Sequence, residues 1–304
     1  MDIQLVAEGL EFPEGPVAMA DGSVIVTEIK GRRITRIFPD GGKETLVETG
    51  GGPNGAAIGP DGALWIANNG GSFSWIETQG LTIPGPTPLE HEGGSIQRFD
   101  FATGRLETVY ETCDGKRLIG PNDLVFDSTG GFWFTDHGAT TEEGRRFGSL
   151  YYAKAGGSSI LRRRHDLLSA NGVGLSPDGN TVYVADTHHA RLWAFDLAAP
   201  GELAPPPPLA PGRVVAALQG YQLLDSLAVE ADGRICVATI INGGITVIQP
   251  DGSGIEHCPF PDLVCTNICF GGDDMRDAWI TASSTGRLYK ARWPRPGLRL
   301  AFNA

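Results

Sequence analysis

One pattern recurs six times along the chain: a polar residue opens a short apolar run, a turn residue stands seven positions later, and a second apolar run follows. The pairs are Glu14/Asp21, Asn54/Asp61, Asn122/Thr129, Asn171/Asp178, Asp225/Asp232 and Asn267/Asp274. Successive turns lie 40, 68, 49, 54 and 42 residues apart, which are propeller-blade periods lengthened by insertions. The runs are short, β-branched and bounded by Gly, Asp and Pro, and helical periodicity is scarce, so the chain reads as all-β. Most copies are followed by a third run: Arg33 to Phe38, Ser95 to Phe99, Ser149 to Tyr152, Leu192 to Phe195, Ile245 to Ile248 and Arg287 to Lys290. The expectation is a six-bladed β-propeller of up to four strands per blade, forming one domain over residues 1–304. A β-sandwich would not account for six similar units. The Asp-Gly pairs are expected to form two-residue type I′ hairpin turns. Ile3 to Ala7 is expected to add a strand to the last blade and close the ring.

Equal offset within a repeat means equal place within each blade. If the first run of each copy is the innermost strand, then Glu14, Asn54, Asn122, Asn171, Asp225 and Asn267 ring one mouth of the central channel. Their side chains are two carboxylates and four amides, with no apolar member. Six oxygen-bearing groups with a formal charge of about −2 suit one hard divalent cation. Strand starts and local turn bonds would also use Asn and Asp, but neither requires a Glu in the series.

Strand direction sorts the loops. Segments after each second run border this mouth: 28–32, 68–94, 136–146, 187–190 and 239–243. The 68–94 insertion carries Phe73, Trp75 and several prolines, as a lid or a specificity wall would. His137 and His188 lie in these segments. The proline-rich stretch 198–211 is expected on the opposite face, as a spacer.

Composition narrows the function classes. Lys and Arg number 24 against 36 Asp and Glu, a formal charge of −12. That balance argues against nucleic acid or an anionic membrane as a main partner. No run approaches a membrane span, and Met1 to Phe12 has neither a basic nor an apolar leader region, so a cytoplasmic location is expected. The five cysteines lack metal-site spacing and read as buried thiols. Gly50 to Gly55 matches GxGxxG, but no helix pattern follows it. Arg162-Arg163-Arg164 reads as a solvated strand edge.

Several of these residues carry a resemblance. Phe12-Pro-Glu14-Gly-Pro, Gly120-Pro-Asn122-Asp123 with Phe-Thr-Asp136, Asn171-Gly-Val-Gly-Leu-Ser-Pro-Asp-Gly, Asp225-Ser-Leu-Ala and Thr266-Asn267-Ile-Cys-Phe-Gly-Gly together resemble the gluconolactonase/regucalcin (senescence marker protein) family of six-bladed propellers. The likeness runs over nearly the whole chain. It implies metal-dependent hydrolysis of sugar lactones, with Glu14, Asn171 and Asp225 binding the metal and Asn122 near the substrate or completing the shell. In animal relatives an arginine that holds sugar hydroxyls often stands two positions before the residue matching Asn122. Here that position is Gly120, which weakens the case for an aldonolactone of the usual polarity and leaves other small lactones open.

The chemistry expected is addition of water to a lactone carbonyl and opening of the ring. Asp225 is the candidate base. Asn122, Asn54 and His137 are the candidate substrate contacts. The cofactor is one divalent ion, Ca²⁺ first, with Zn²⁺, Mn²⁺, Mg²⁺ or Fe²⁺ as alternatives. The partner is a small lactone, and the assembly is a monomer or small homo-oligomer. Two other readings compete: a lyase or condensing enzyme of the strictosidine-synthase type, which typically lacks these ring carboxylates, and a non-catalytic propeller that binds calcium or a protein.

Overall fold

A computed structural model describes residues 1–303. Among them there is no helix, and hence none long and apolar enough to cross a membrane. Six antiparallel sheets of four main strands each form a six-bladed propeller. The innermost strands are Pro13–Ala18, Pro53–Ile58, Pro121–Phe126, Ala170–Leu175, Leu223–Val229 and Cys265–Gly271. We number the blades 1 to 6 in that order. Each inner strand pairs with the run that follows its turn, and that run pairs with the third strand, as the sequence indicates. In blade 6 the outermost place is taken by Ile3–Ala7, which pairs antiparallel with Arg287–Arg292. The chain's start therefore closes the ring onto its last blade.

Blades are held together by apolar layers between them. Trp65, Trp133, Phe132 and Phe134 are fully buried in these layers, and Trp65 meets Phe126 and Phe132 of the next blade with ring centroids 5.8 and 5.4 Å apart. Fully burying side chains of this size contributes about 1.5–3 kcal/mol each.

The turns differ from the type I′ expectation. Gly22, Gly62, Gly130, Gly179 and Gly233 adopt positive φ, but the residues before them do not. Each glycine N–H donates to the carbonyl three residues back, as from Gly22 to Met19 at 3.0 Å. These are type I turns closed by a left-handed glycine, the three-residue hairpin form. The aspartate earns its place through its side chain, which accepts from the backbone N–H two residues on, as Asp21 does from Ser23 at 3.1 Å. The GxGxxG-like run leads into the strand Pro53–Ile58 rather than a helix. The triple arginine lies on Ile160–Leu167, the outer strand of blade 3.

Candidate functional site

Every inner strand breaks its register near its start. The irregularities fall between residues 14 and 17, 53 and 56, 121 and 124, 170 and 173, 224 and 227, and 265 and 267. A bulge re-aims a side chain that plain alternation would send elsewhere. All six repeated polar residues lie at or within these bulges, and all six are buried. The inner strands also approach one another closely here. A Cβ at Gly55 would lie 2.5 Å from Asp123 Oδ1 and 2.8 Å from the Asn122 carbonyl oxygen, so only glycine fits.

Four members of the ring are tied by direct contacts or by their charges. Glu14 Oε2 accepts from Asn267 Nδ2 at 2.6 Å, joining blades 1 and 6. Asn171 Nδ2 donates to Thr187 Oγ1 at 3.1 Å, and its Oδ1 faces Ser226 Oγ at 3.5 Å, joining blades 4 and 5. Burial raises the Glu14 carboxyl well above its ordinary range, and the Asp225 and Asp123 charges push it the same way. Asp225 is pushed up to about 7 by burial and by Asp123, while a hydrogen bond from the Asn171 amide works the other way. Asn54 stands at the same place on blade 2, and its backbone carbonyl accepts from Thr27 Oγ1 of blade 1 at 2.6 Å.

Two buried oxygens here have no partner: Glu14 Oε1 and Asn122 Oδ1. An unpartnered buried polar atom costs about 1–3 kcal/mol. Neighbouring carboxylates buried together are costly as well, unless something positive joins them. The orphan oxygens, the buried carboxyls held above their ordinary range and the hard oxygen donors fit a bound divalent cation. No three His, Cys, Asp or Glu side chains among the described residues are grouped to hold a metal by themselves. A cation held here would therefore draw on the amides.

Asp123 is a residue the repeat did not pick out. It is buried, its Oδ1 accepts from Leu124 N at 2.8 Å and its Oδ2 from Val173 N of blade 4 at 3.1 Å, and burial pushes it up to about 7. It acts electrostatically on both Glu14 and Asp225. In strict alternation it would face away from its neighbour Asn122. The bulge removes that rule, and the sequence signal for Asp123 was its place in the Gly120-Pro-Asn122-Asp123 motif rather than in the repeat.

The loops around the mouth are pinned from below. Asp136, at the end of blade 3's second strand, accepts from Ile119 N and Gly120 N at 2.7 and 2.9 Å, and Asp186 does the same for Leu168 N and Ser169 N on blade 4. His137 follows Asp136. It is buried, its Nδ1 has no partner, and burial together with the nearby Arg145 lowers its pKa well below the usual histidine range. The 68–94 insertion crosses the mouth. Thr82 N donates to Ser284 O of blade 6 at 3.0 Å, Thr87 N donates to Thr140 O of blade 3 at 2.7 Å, and Lys30 of blade 1 pairs with Glu77.

Comparisons with known proteins agree with this architecture. The family profile described as SMP-30/Gluconolactonase/LRE-like region matches residues 12–284. A gluconolactonase of Zymomonas mobilis is 26% identical, over 88% of this chain and 76% of that protein. Among solved structures, a gluconolactonase from Xanthomonas campestris superposes with a TM-score of 0.76 at 24% identity, covering 96% of this chain and 89% of the other. A calcium-binding regucalcin from Agrobacterium tumefaciens superposes with a TM-score of 0.74 at 20% identity, covering 97% of each. The two superpositions speak for the fold alone.

Proposed function

The chain belongs to the SMP-30/gluconolactonase/LRE-like family, and on that premise we propose that it is a metal-dependent lactonase, adding water to the carbonyl of a small lactone to give the hydroxy acid. The observation that carries this reading is the burial of the Glu14 and Asp225 carboxyls at one mouth beside Asp123, with an orphan oxygen on Glu14 and another on Asn122. Glu14, Asn171 and Asp225 would hold the cation, and Asn122 would stand beside it. A bound divalent ion supplies positive charge that polarises a carbonyl and stabilises an oxyanion.

The chain's own residues do the rest. Asp225 takes a proton from the attacking water as the new C–O bond forms. The same carboxyl returns a proton to the ring oxygen as the ring C–O bond breaks, so the step consumes one water and leaves a hydroxy acid. The amides of Asn122 and Asn54 orient the substrate. His137 offers its free Nδ1 at the rim.

Chelator-treated protein is expected to open no lactone in a pH-stat assay. Ca²⁺, Mn²⁺ or Zn²⁺ is expected to restore proton release and, independently, to raise the unfolding temperature. Full activity of thoroughly demetallated protein would refute the reading. A metal-raised unfolding temperature without proton release from any lactone would favour a non-catalytic cation-binding propeller.

A further inference from the structure

Five rings run in a row along the rim of the mouth. Phe12 and Trp75 have ring centroids 4.9 Å apart, Trp75 and Phe73 6.4 Å, Phe73 and His137 6.1 Å, and His137 and His188 5.8 Å. Phe12 stands two residues before Glu14, His137 donates its backbone N–H to Gly120 O at 2.8 Å, two residues before Asn122, and His188 Nδ1 lies 2.7 Å from Ser169 Oγ, two residues before Asn171. The row therefore begins and ends beside the ring residues. Phe73 and Trp75 come from the insertion and remain half-exposed, while Phe12 is buried beneath them with Ile29 and Val264.

Two further observations set the character of this wall. Phe12 holds a left-handed backbone, φ 58°, although it is bulky and precedes a proline. Such a conformation costs of order 1–3 kcal/mol and persists only where the surroundings over-determine it. At Gly120 a Cβ would lie 3.1 Å from Gly138 O and 3.6 Å from Ser72 Oγ of the insertion. The insertion occupies the space into which a long side chain at this position would reach. Arg145, whose charge acts on His137 and His188, spends its guanidinium on the carbonyls of Leu168 and His137 and on Thr140 Oγ1. Sugar hydroxyls placed against Phe73 and Trp75 would lose water without gaining partners there. An aromatic or branched-alkyl group would bury its area there and meet ring faces and edges.

We propose that the site takes a lactone bearing an apolar substituent, aromatic or branched alkyl, which packs against Phe73 and Trp75, backed by Phe12, while the carbonyl sits at the Glu14–Asp225 end. This rests on the lactonase reading and narrows its substrate class. Three lactones of equal ring size test it: γ-phenyl-γ-butyrolactone, unsubstituted γ-butyrolactone and galactono-γ-lactone. In the Ca²⁺-loaded wild type, kcat/KM for the phenyl lactone is expected to exceed that for each of the others by about tenfold or more, the scale of one buried apolar group. In Phe73→Ala and Trp75→Ala the ratio of phenyl to unsubstituted lactone should fall about tenfold. Preference for the galactonolactone, or a ratio unmoved by both substitutions, would overturn the proposal. If no lactone is opened with any metal, the hydrolase reading fails by itself. Calorimetric titration with the non-hydrolysable γ-phenyl lactam then decides the pocket. Binding that Trp75→Ala weakens about tenfold upholds an apolar-substituent site, and absence of binding overturns it.

Discussion

At the scale of single residues, the site concentrates unfavourable groups in one place. Glu14, Asp123 and Asp225 are all held above the ordinary carboxylate range, first by burial and then, for Glu14, by the Asp225 and Asp123 charges and, for Asp225, by the Asp123 charge. The linkage sign follows from that direction. A carboxyl whose folded pKa exceeds its unfolded value contributes stability that is complete below about pH 4 and is lost as the pH rises through the folded pKa. With Asp123 and Asp225 near 7, metal-free protein is expected to lose thermal stability as the pH rises from about 4 to about 7, and saturating Ca²⁺ is expected to reverse most of the loss. Glu14→Gln tests the origin of this slope. A glutamine oxygen still accepts from Gly15 N and Asn267 Nδ2, while the new NH₂ replaces the orphan oxygen. The metal-free variant should gain about 1–3 kcal/mol at pH 8 and show a flatter pH profile. Its unfolding temperature should no longer respond to Ca²⁺. A variant less stable than wild type without metal would contradict this account of Glu14. The repeat exposed Glu14 and Asp225 because both interrupt a series of amides. It did not expose Asp123, which shares its offset with Gly15, Gly55, Gly172, Ser226 and Ile268 and so has no repeated identity.

At the scale of elements, the inner and second strands of each blade were legible because they are buried on both faces or nearly so, and read as dense apolar runs between turns. The outer strands were not. Lys43–Glu48 and Ile160–Leu167 are largely exposed, and their sequences carry little alternation to separate them from loop. The bulges were invisible too, since nothing in Glu14-Gly-Pro or Asn122-Asp-Leu announces a register shift. The same holds for the hydroxyls that lock one blade to the next. Thr27 Oγ1 donates to Asn54 O, Thr135 Oγ1 donates to Asn171 O, and Ser283 Oγ donates to Pro13 O at 2.5 Å. The first two bonds fix the backbone of a ring residue from the neighbouring blade, and the third fixes the residue before Glu14. Thr27→Val keeps the shape but leaves the Asn54 carbonyl unpaired in a buried position. It is expected to cost about 1–2 kcal/mol, read as a lower urea midpoint with an unchanged m-value. An unchanged midpoint would mean that the hydroxyl does not hold Asn54.

At the scale of the whole molecule, the channel has two unlike ends. The mouth that bears the ring is polar. Deeper in, a cavity of about 110 Å³ is lined by Val17, Ile58, Val125, Leu175, Val229 and Phe270, and the segment carrying Leu298, Leu300 and Phe302 closes it from the far side. Leu298 N donates to Val229 O at 2.8 Å, and the Phe302 ring meets Phe126 with centroids 5.9 Å apart. This closure had a signature that a search for blades passes over: apolar residues at 298, 300 and 302, every second position, after the last repeat has ended. The arrangement has a physical rationale. Inner strands pack side by side around an axis but cannot fill the axis itself, so an open channel would leave six apolar strand faces in contact with water. Truncation after Gly297 exposes them. It is expected to lower stability by about 2–4 kcal/mol, the scale of two partly buried large side chains with their backbone bond. The truncated protein should also bind a hydrophobic dye such as ANS that the full chain does not. Because the ring residues lie at the opposite mouth, the rise in unfolding temperature on adding Ca²⁺ should persist in the truncated protein. Loss of that rise would mean that the far closure and the polar mouth form one cooperative unit, with the channel lining transmitting strain between them.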